Sequence, residues 1–169
     1  MHLPTRRRRQ RRLSRAARNA LAVAALSLIV ATGAPAESLC LAIIALPEND
    51  TLAAVPLYAE GATFIVSYKQ AATGAPIKET YRANRTGLTQ IEIRFEQQGP
   101  GLPSQPGPGE TWVQEQGQTV VTLARPFDGV RMRVRADQAP MLDVAGRKTV
   151  LSQWGDRAIG IVPSDCTLR

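Results

Sequence analysis

The chain has 169 residues, 44% hydrophobic and 21% charged, which suits one globular domain and leaves little room for a second. Its net charge of +7 at first suggests a nucleic-acid-binding protein. However, eight of the 21 basic residues lie within the first 18 positions, and the rest of the chain holds 13 basic against 14 acidic residues. This balance excludes the electropositive surface that binding to a phosphate backbone requires.

Residues 1–36 have the three parts of a secretory signal peptide. An Arg-rich start is followed by an apolar run over residues 21–30, and Ala36 ends an Ala-Pro-Ala site, so cleavage is expected before Glu37. The alternative is a retained inner-membrane anchor that faces the periplasm, although the apolar run is shorter than the ~20 residues that a membrane span needs. The sequence therefore predicts a periplasmic protein made of residues 37–169, whose only membrane contact would be an uncleaved leader.

Cys40 and Cys166 are the two cysteines and lie near the two ends of this exported region. An even number of cysteines in an exported domain favours a disulfide between them. The alternative is a pair of unpaired, buried thiols.

After the leader, short apolar patterns of period two predict strands, and none of helical period is long enough to predict a helix. Residues 39–46 are continuously apolar, which is typical of a central strand. Residues 63–69 alternate between apolar and polar, and Ile91, Ile93 and Phe95 are predicted to share the buried face of another strand.

Turn residues separate the later strands. Asp128-Gly129 lies between residues 119–123 and residues 130–135, and Ala145-Gly146 predicts a tight hairpin. About ten short strands at this spacing predict a single all-β domain, an antiparallel β-sandwich or a barrel-like fold. Residues 99–109 are rich in Gly and Pro, so they are predicted to form a long loop, either an ordered turn or a binding loop.

The region after the leader contains no histidine, which limits the catalytic and metal sites that it can form. The one histidine, His2, lies in the leader, which excludes Ser–His and Cys–His pairs and zinc sites built from His and Cys. No cofactor, metal or enzyme activity is predicted. A hydrolase that uses two facing carboxylates is the remaining catalytic hypothesis.

Glu79 is the most informative acidic residue, because period two places it on the apolar face of a strand with Ile77 and Tyr81. A carboxylate on such a face should be paired or have a raised pKa. Glu79 is therefore predicted to lie in a polar pocket near Tyr68 or an arginine. The alternatives are a structural salt bridge and a bulge that turns the side chain outward.

Arg131, Arg133 and Arg135 alternate along one strand and form a basic stripe. This stripe could bind a carboxylate ligand or an acidic partner. The alternative is a solvated face that protects an edge strand from pairing with another chain.

Residues 39–162 resemble the bacterial family called domain of unknown function 1850. The resemblance rests on motifs in chain order: Tyr68, Pro76-Ile77, Glu79 with Tyr81, Phe95, Gly99-Pro100-Gly101-Leu102-Pro103, and an Arg-x-Arg-Val strand at either Arg131 to Val134 or Arg133 to Arg135. Where the family usually has His-Ser-Val, this chain has Gln70-Ala71-Ala72, and a second family histidine falls near Ala139-Pro140. If those histidines serve a site in relatives, that site is altered here.

The resemblance implies where the protein acts, but no reaction that it catalyses. Members of the family are small exported or membrane-tethered proteins, often encoded beside TAXI-type TRAP transporters of small organic solutes. The leading hypothesis is a non-enzymatic accessory protein that contacts a TRAP membrane component or its solute-binding protein. The alternative is a small periplasmic binding module for an anionic or apolar solute. The residues predicted to bind are Tyr68, Gln70, Glu79, Tyr81, Arg131 and Arg133.

Overall fold

Alternating apolar residues and frequent turn residues produce a fold made almost entirely of strands. A computed structural model of the chain describes residues 38–166, so the predicted leader and the Ala36–Glu37 cleavage position lie outside the described residues. The eleven strands are β1 Leu39–Ala45, β2 Thr51–Pro56, β3 Thr63–Lys69, β4 Pro76–Asn84, β5 Gly87–Phe95, β6 Thr111–Glu115, β7 Gln118–Phe127, β8 Val130–Val134, β9 Met141–Val144, β10 Arg147–Val150 and β11 Arg157–Asp165. Two short 3₁₀ segments, Ala136–Gln138 and Leu151–Trp154, are the helical elements of the described residues.

The strands form two antiparallel sheets. The smaller sheet has the order β2-β1-β11-β8 and the larger one the order β10-β9-β3-β4-β5-β7-β6. The all-β prediction is confirmed, and of its two alternatives the structure has the sandwich-like one, since neither sheet closes into a barrel. β8 is an edge strand of the smaller sheet, and this position matters for the site.

The main core lies between the two sheets. Leu41, Ile43 and Ile159 from the smaller sheet pack with Phe64 and Leu142 from the larger one, and all five are almost fully buried. β1 is buried along nearly its whole length between β2 and β11, which agrees with its continuously apolar sequence. The burial of these apolar side chains is the main favourable term in the stability of the domain.

A second, smaller core lies on the part of the larger sheet that carries β5, β6 and β7. Its five buried members are Ile77, Ile93, Phe95, Val121 and Leu123, and the partly buried Leu102 and Trp112 pack against them. Leu102 belongs to residues 99–109, which we call the Gly/Pro loop. The predicted loop is therefore confirmed as non-strand and non-helical, and it covers apolar residues of the sheet.

A disulfide joins Cys40, in the first strand, to Cys166, just after the last, so that prediction is confirmed. The two cysteines are 126 positions apart in sequence. Since β1 and β11 are paired neighbours, the bond links the ends of two adjacent strands. Within residues 38–166, no helix has both the length and the apolar character needed to cross a membrane.

One strand differs from its predicted pattern. β5 contains a bulge, because Thr80 pairs with Glu92 while the next residue, Tyr81, pairs with Gln90. Ile91 is the extra residue, so it is only half-buried, and Gln90 takes the inward position instead. The prediction that Ile91 shares a buried face with Ile93 is therefore wrong, because a bulge shifts the strict period of two by one residue.

Candidate functional site

A cleft of about 420 Å³ lies between the two cores. Its floor comes from β3, β4 and β5 of the larger sheet, and its two sides come from the Gly/Pro loop and from β8 with the turn before it. Val66 and Val130 belong to the main core, Ile93 belongs to the second core, and Tyr68 packs against both. The volume lies in the lower part of the range typical of small-molecule sites.

The floor of the cleft is a hydrogen-bonded network centred on Glu79. The Tyr68 hydroxyl donates to Oε1 of Glu79 at 3.0 Å, and the Tyr81 hydroxyl donates to Oε2 at 2.6 Å. β3 and β4 bring these groups together because Tyr68 pairs with Ile77 and Val66 pairs with Glu79. We call Tyr68, Glu79 and Tyr81 the floor network.

Burial and the nearby carboxylate keep both tyrosines protonated. Burial is the largest cause that raises the pKa of Tyr68 and of Tyr81 far above the usual range, and the charge and hydrogen bond of Glu79 raise both further. Both hydroxyls therefore retain their hydrogens and act as donors to Glu79.

Gln90 completes the floor because of the β5 bulge. Its side chain is 4% exposed, and its Nε2 donates to the Tyr81 hydroxyl at 3.3 Å. Tyr81 is thus both donor and acceptor, while its ring stacks on Phe64 with 5.3 Å between the centroids. The alternation of β5 alone does not single out Gln90. The available signal was the spacing of Leu88 and Gln90, which places a polar residue next to a buried one on the same face.

The wall formed by β8 carries two arginines, Arg131 and Arg133. Both residues are exposed, both are among the residues that line the cleft, and neither forms an ion pair with an acid in residues 38–166. A third arginine of the cleft, Arg125 on β7, is paired with Glu110. Arg131 and Arg133 are therefore the two guanidinium groups of the cleft that remain available for an anion.

The third arginine of the predicted stripe does not join them. Arg135 follows β8 and forms a bidentate ion pair with Asp137, with N–O distances of 3.1 and 3.0 Å. The stripe is thus divided: Arg131 and Arg133 are among the residues that line the cleft, and Arg135 is paired with Asp137. Since β8 is an edge strand, Arg131 and Arg133 also occupy the position that the protective alternative requires.

Gln70 lies beside the cleft rather than in it. It is 6% exposed at the end of β3, its Nε2 donates to the Pro100 carbonyl at 3.4 Å, and its Oε1 accepts from the Thr73 hydroxyl at 2.8 Å. It lines a smaller neighbouring cleft of about 260 Å³ that shares Tyr68, Gly101 and Gln138 with the larger one. Its contacts fasten the start of the Gly/Pro loop to the sheet.

Glu110 fastens the other end of this loop. One side-chain oxygen accepts from the Gly107 amide at 2.9 Å and from Trp112 Nε1 at 3.4 Å, and the other pairs with Arg125. The Gly107 hydrogen bond, followed by those of Arg125 and Trp112, lowers the pKa of Glu110. The loop is therefore tied to the sheet at both ends, beside the cleft that it borders.

The chemistry available in the cleft is recognition by hydrogen bonds and charge. Glu79 is the single carboxylate among the residues that line it, so the two facing carboxylates of the hydrolase hypothesis do not occur there. In the described part of the chain, no group of three or more acidic, Cys or His side chains is placed to hold a metal ion. Of the six predicted binding residues, the cleft brings together Tyr68, Glu79, Tyr81, Arg131 and Arg133 and leaves Gln70 outside. That they bind a ligand stays a prediction.

The fold and site define a class of protein: a two-sheet antiparallel β domain with a polar cleft between a loop and an edge strand. The chain belongs to the family described as Domain of unknown function (DUF1850), whose model matches residues 66–151. This span contains the floor network, Gln90, Arg131 and Arg133. No curated protein and no solved structure matches the chain.

Proposed function

We propose that the protein is an exported, non-enzymatic binding module that holds a small organic anion in the cleft. The observation that carries this proposal is the presence of two arginines, Arg131 and Arg133, that line a cleft without acidic partners in the described residues. A guanidinium binds a carboxylate through two parallel hydrogen bonds, which gives both affinity and orientation. The two arginines favour an anionic solute over the purely apolar one, because an apolar ligand that displaced water from them would leave their guanidinium groups without partners.

The surroundings of the arginines support an anion rather than a protein partner as their ligand. They line a concave site of about 420 Å³ together with Gly101 and Pro103 of the Gly/Pro loop, and the apolar residues Val130 and Met132 of the same strand also line it. Concave sites with mixed apolar and polar linings are typical of small-molecule binding. The alkyl part of a small acid could pack on these apolar groups while its carboxylate contacts the guanidinium groups.

Calorimetric titration with straight-chain acids from acetate to hexanoate tests the anion site. We expect saturable binding of at least one acid, and we expect the double variant Arg131→Gln/Arg133→Gln to weaken it at least about tenfold. Arg82→Gln is the matched control, because Arg82 is exposed on β4 and does not line the cleft. Equal losses in the cleft variant and the control would contradict the anion site, and so would the absence of saturable binding by any small carboxylate, with or without an amino group.

The proposed setting is the periplasm, beside a TAXI-type TRAP transporter, as the family resemblance implies. The disulfide supports an oxidising compartment, since such bonds form and persist outside the cytoplasm. In this setting the protein would contact a TRAP membrane component or its solute-binding protein. Fractionation of cells followed by affinity capture from envelope extracts tests this. The expected result is a periplasmic protein that retains a TRAP component, whereas a cytosolic protein with both thiols reduced would refute the setting.

A further inference from the structure

Glu79 is a charged group in the cleft for which the described residues provide no cation. It is half-buried on the floor, and none of the arginines or lysines of residues 38–166 lies within ion-pair distance of it. Its two oxygens accept one hydrogen bond each, from Tyr68 and Tyr81. A carboxylate removed from water is costly unless a positive charge or further donors compensate it.

The hydrogen-bond directions in the floor network decide which ligand group can meet it. Each tyrosine hydroxyl has one hydrogen, and both hydrogens are donated to Glu79. Tyr81 also accepts from Gln90. The floor network therefore presents only lone pairs to the cleft: the remaining ones on the Glu79 carboxylate and those on the Tyr68 oxygen. Such a surface repels a carboxylate and attracts a hydrogen-bond donor, most strongly a cationic one.

The wall has the opposite character. The side chains of Arg131 and Arg133 offer only donors and carry two positive charges without acidic partners in the described part of the chain. One cleft thus contains a floor network of acceptors with a negative charge and a donor wall with positive charges. A ligand that compensates both needs a cationic donor group and an anionic group in the same small molecule.

We propose that the solute held in this cleft is a zwitterion, an amino acid in the broad sense, whose ammonium group binds Glu79 and Tyr68 and whose carboxylate binds Arg131 and Arg133. This inference rests on the proposed function, because it names the class of anion that the cleft accepts. It assigns Glu79 the role of discriminating amino acids from simple carboxylic acids. It also explains why the floor holds a carboxylate whose acceptor sites are not all used by the protein.

Paired ligands test the role of the ammonium group. The protein, expressed from its full-length sequence and purified as the host processes it, is titrated in a calorimeter with ω-amino acids from glycine to 6-aminohexanoate. Each is compared with the acid of equal length that lacks the amino group. We expect at least one amino acid to bind about tenfold or more tightly than its partner acid. N-acetylation of that amino acid, which removes the charge, should abolish the advantage.

A variant pair assigns the advantage to Glu79. In Glu79→Gln, the amino acid and the simple acid should bind with affinities within about threefold of each other, because the negative charge is gone. Glu60→Gln, at an exposed position outside the cleft, should keep the full difference. Should Glu79→Gln not fold, the wild-type comparison with the N-acetylated ligand still decides the matter.

The outcomes separate this inference from the proposed function. Equal affinities of amino acid and simple acid for the wild-type protein would overturn the zwitterion and leave the anion site intact. Retention of the amino-acid preference in a folded Glu79→Gln protein would also overturn it. No binding by any member of either series would overturn both proposals.

Discussion

Tyr81 connects the hydrophobic core to the polar floor of the cleft. Its ring stacks on Phe64 inside the main core, while its hydroxyl donates to Glu79 and accepts from Gln90. The residue is 4% exposed, so water cannot easily replace a lost hydrogen bond. A single side chain thus contributes to stability through its ring and to the orientation of Glu79 through its oxygen.

Replacing Tyr81 by Phe should lower the free energy of unfolding by about 2 kcal/mol, because a charged acceptor and a buried amide donor each lose a partner. Urea unfolding followed by circular dichroism measures the change. Tyr58→Phe is the matched control, since Tyr58 is 69% exposed and its hydroxyl accepts from the exposed Arg147. Equal effects of the two substitutions would contradict this account of the floor network.

Glu110 should make stability depend on pH in the acid range. Its pKa is lowered in the folded protein, first by the Gly107 amide and then by Arg125 and Trp112. The folded protein therefore binds a proton at this site less readily than the unfolded chain does. The stabilisation is complete above the unfolded pKa and is lost as pH falls through the folded pKa.

The measurement is the free energy of unfolding between about pH 6 and pH 3, compared for wild type and Glu110→Gln. Wild type should lose stability as the pH falls, and the variant should show a smaller loss. Arg125→Gln should give an intermediate slope, because the Gly107 hydrogen bond remains. An unchanged acid slope in Glu110→Gln would show that the loop contacts of this carboxylate are not maintained in solution.

At the scale of elements, the Gly/Pro loop depends on close packing between Gly99 and Gln70. A β-carbon at position 99 would lie 2.1 Å from Nε2 of Gln70, a distance that requires the amide to move. That amide is buried and bonded to Pro100 and Thr73, so its movement would break both contacts. Glycine at position 99 therefore allows the loop to approach the sheet.

Gly99→Ala should destabilise the protein by about 1–3 kcal/mol, at about 1 kcal/mol for each lost hydrogen bond plus the steric cost. Hydrogen exchange should become faster in residues 99–109 than in the strands. The double variant Gly99→Ala/Gln70→Ala provides the control, because removing the amide removes the clash and should make the effects non-additive. Strict additivity of the two substitutions would contradict the proposed contact.

Strands whose patterns are regular could be predicted from the sequence, and those interrupted by special residues could not. β3 has the predicted bounds, because alternation delimits it, and the predicted hairpin at Ala145-Gly146 joins β9 to β10. β11 cannot be assigned from the sequence, because Gly160 and Pro163 interrupt its apolar pattern, although it is an interior strand of the smaller sheet. Gly160 is required there by proximity, because a β-carbon would lie 2.9 Å from the Ile44 side chain. Such a contact between strands leaves no local signal in the sequence.

In the candidate site, too, some features could be predicted from the sequence and others could not. Glu79 could be singled out from period two alone, because a carboxylate on an apolar face is unusual. That Glu79 lies in one cleft with Arg131 and Arg133 could not be predicted from the sequence, because β4 and β8 belong to different sheets. Gln90 escaped prediction because the bulge that turns it inward depends on how β5 pairs with both neighbours.

At the scale of the whole molecule, the Cys40–Cys166 disulfide joins the first strand to the end of the last. Reduction, or the double variant Cys40→Ser/Cys166→Ser, should lower the free energy of unfolding by about 4–5 kcal/mol, because the bond closes a loop of over 100 residues in the unfolded chain. Urea unfolding with and without reductant measures the difference. The serine variant, whose stability should not respond to reductant, is the control. Equal stability of oxidised and reduced protein would contradict a stabilising bond.

The central claim is that a small carboxylate solute occupies the cleft between the Gly/Pro loop and β8. The most direct measurement is a titration of ¹⁵N-labelled protein with 5-aminopentanoate, with pentanoate as its partner, followed by amide chemical shifts. The account predicts saturable shifts that concentrate at Tyr68, Glu79, Gln90, Arg131 and Arg133. Saturable shifts confined to another surface, or none at the highest concentrations of either ligand, would contradict it.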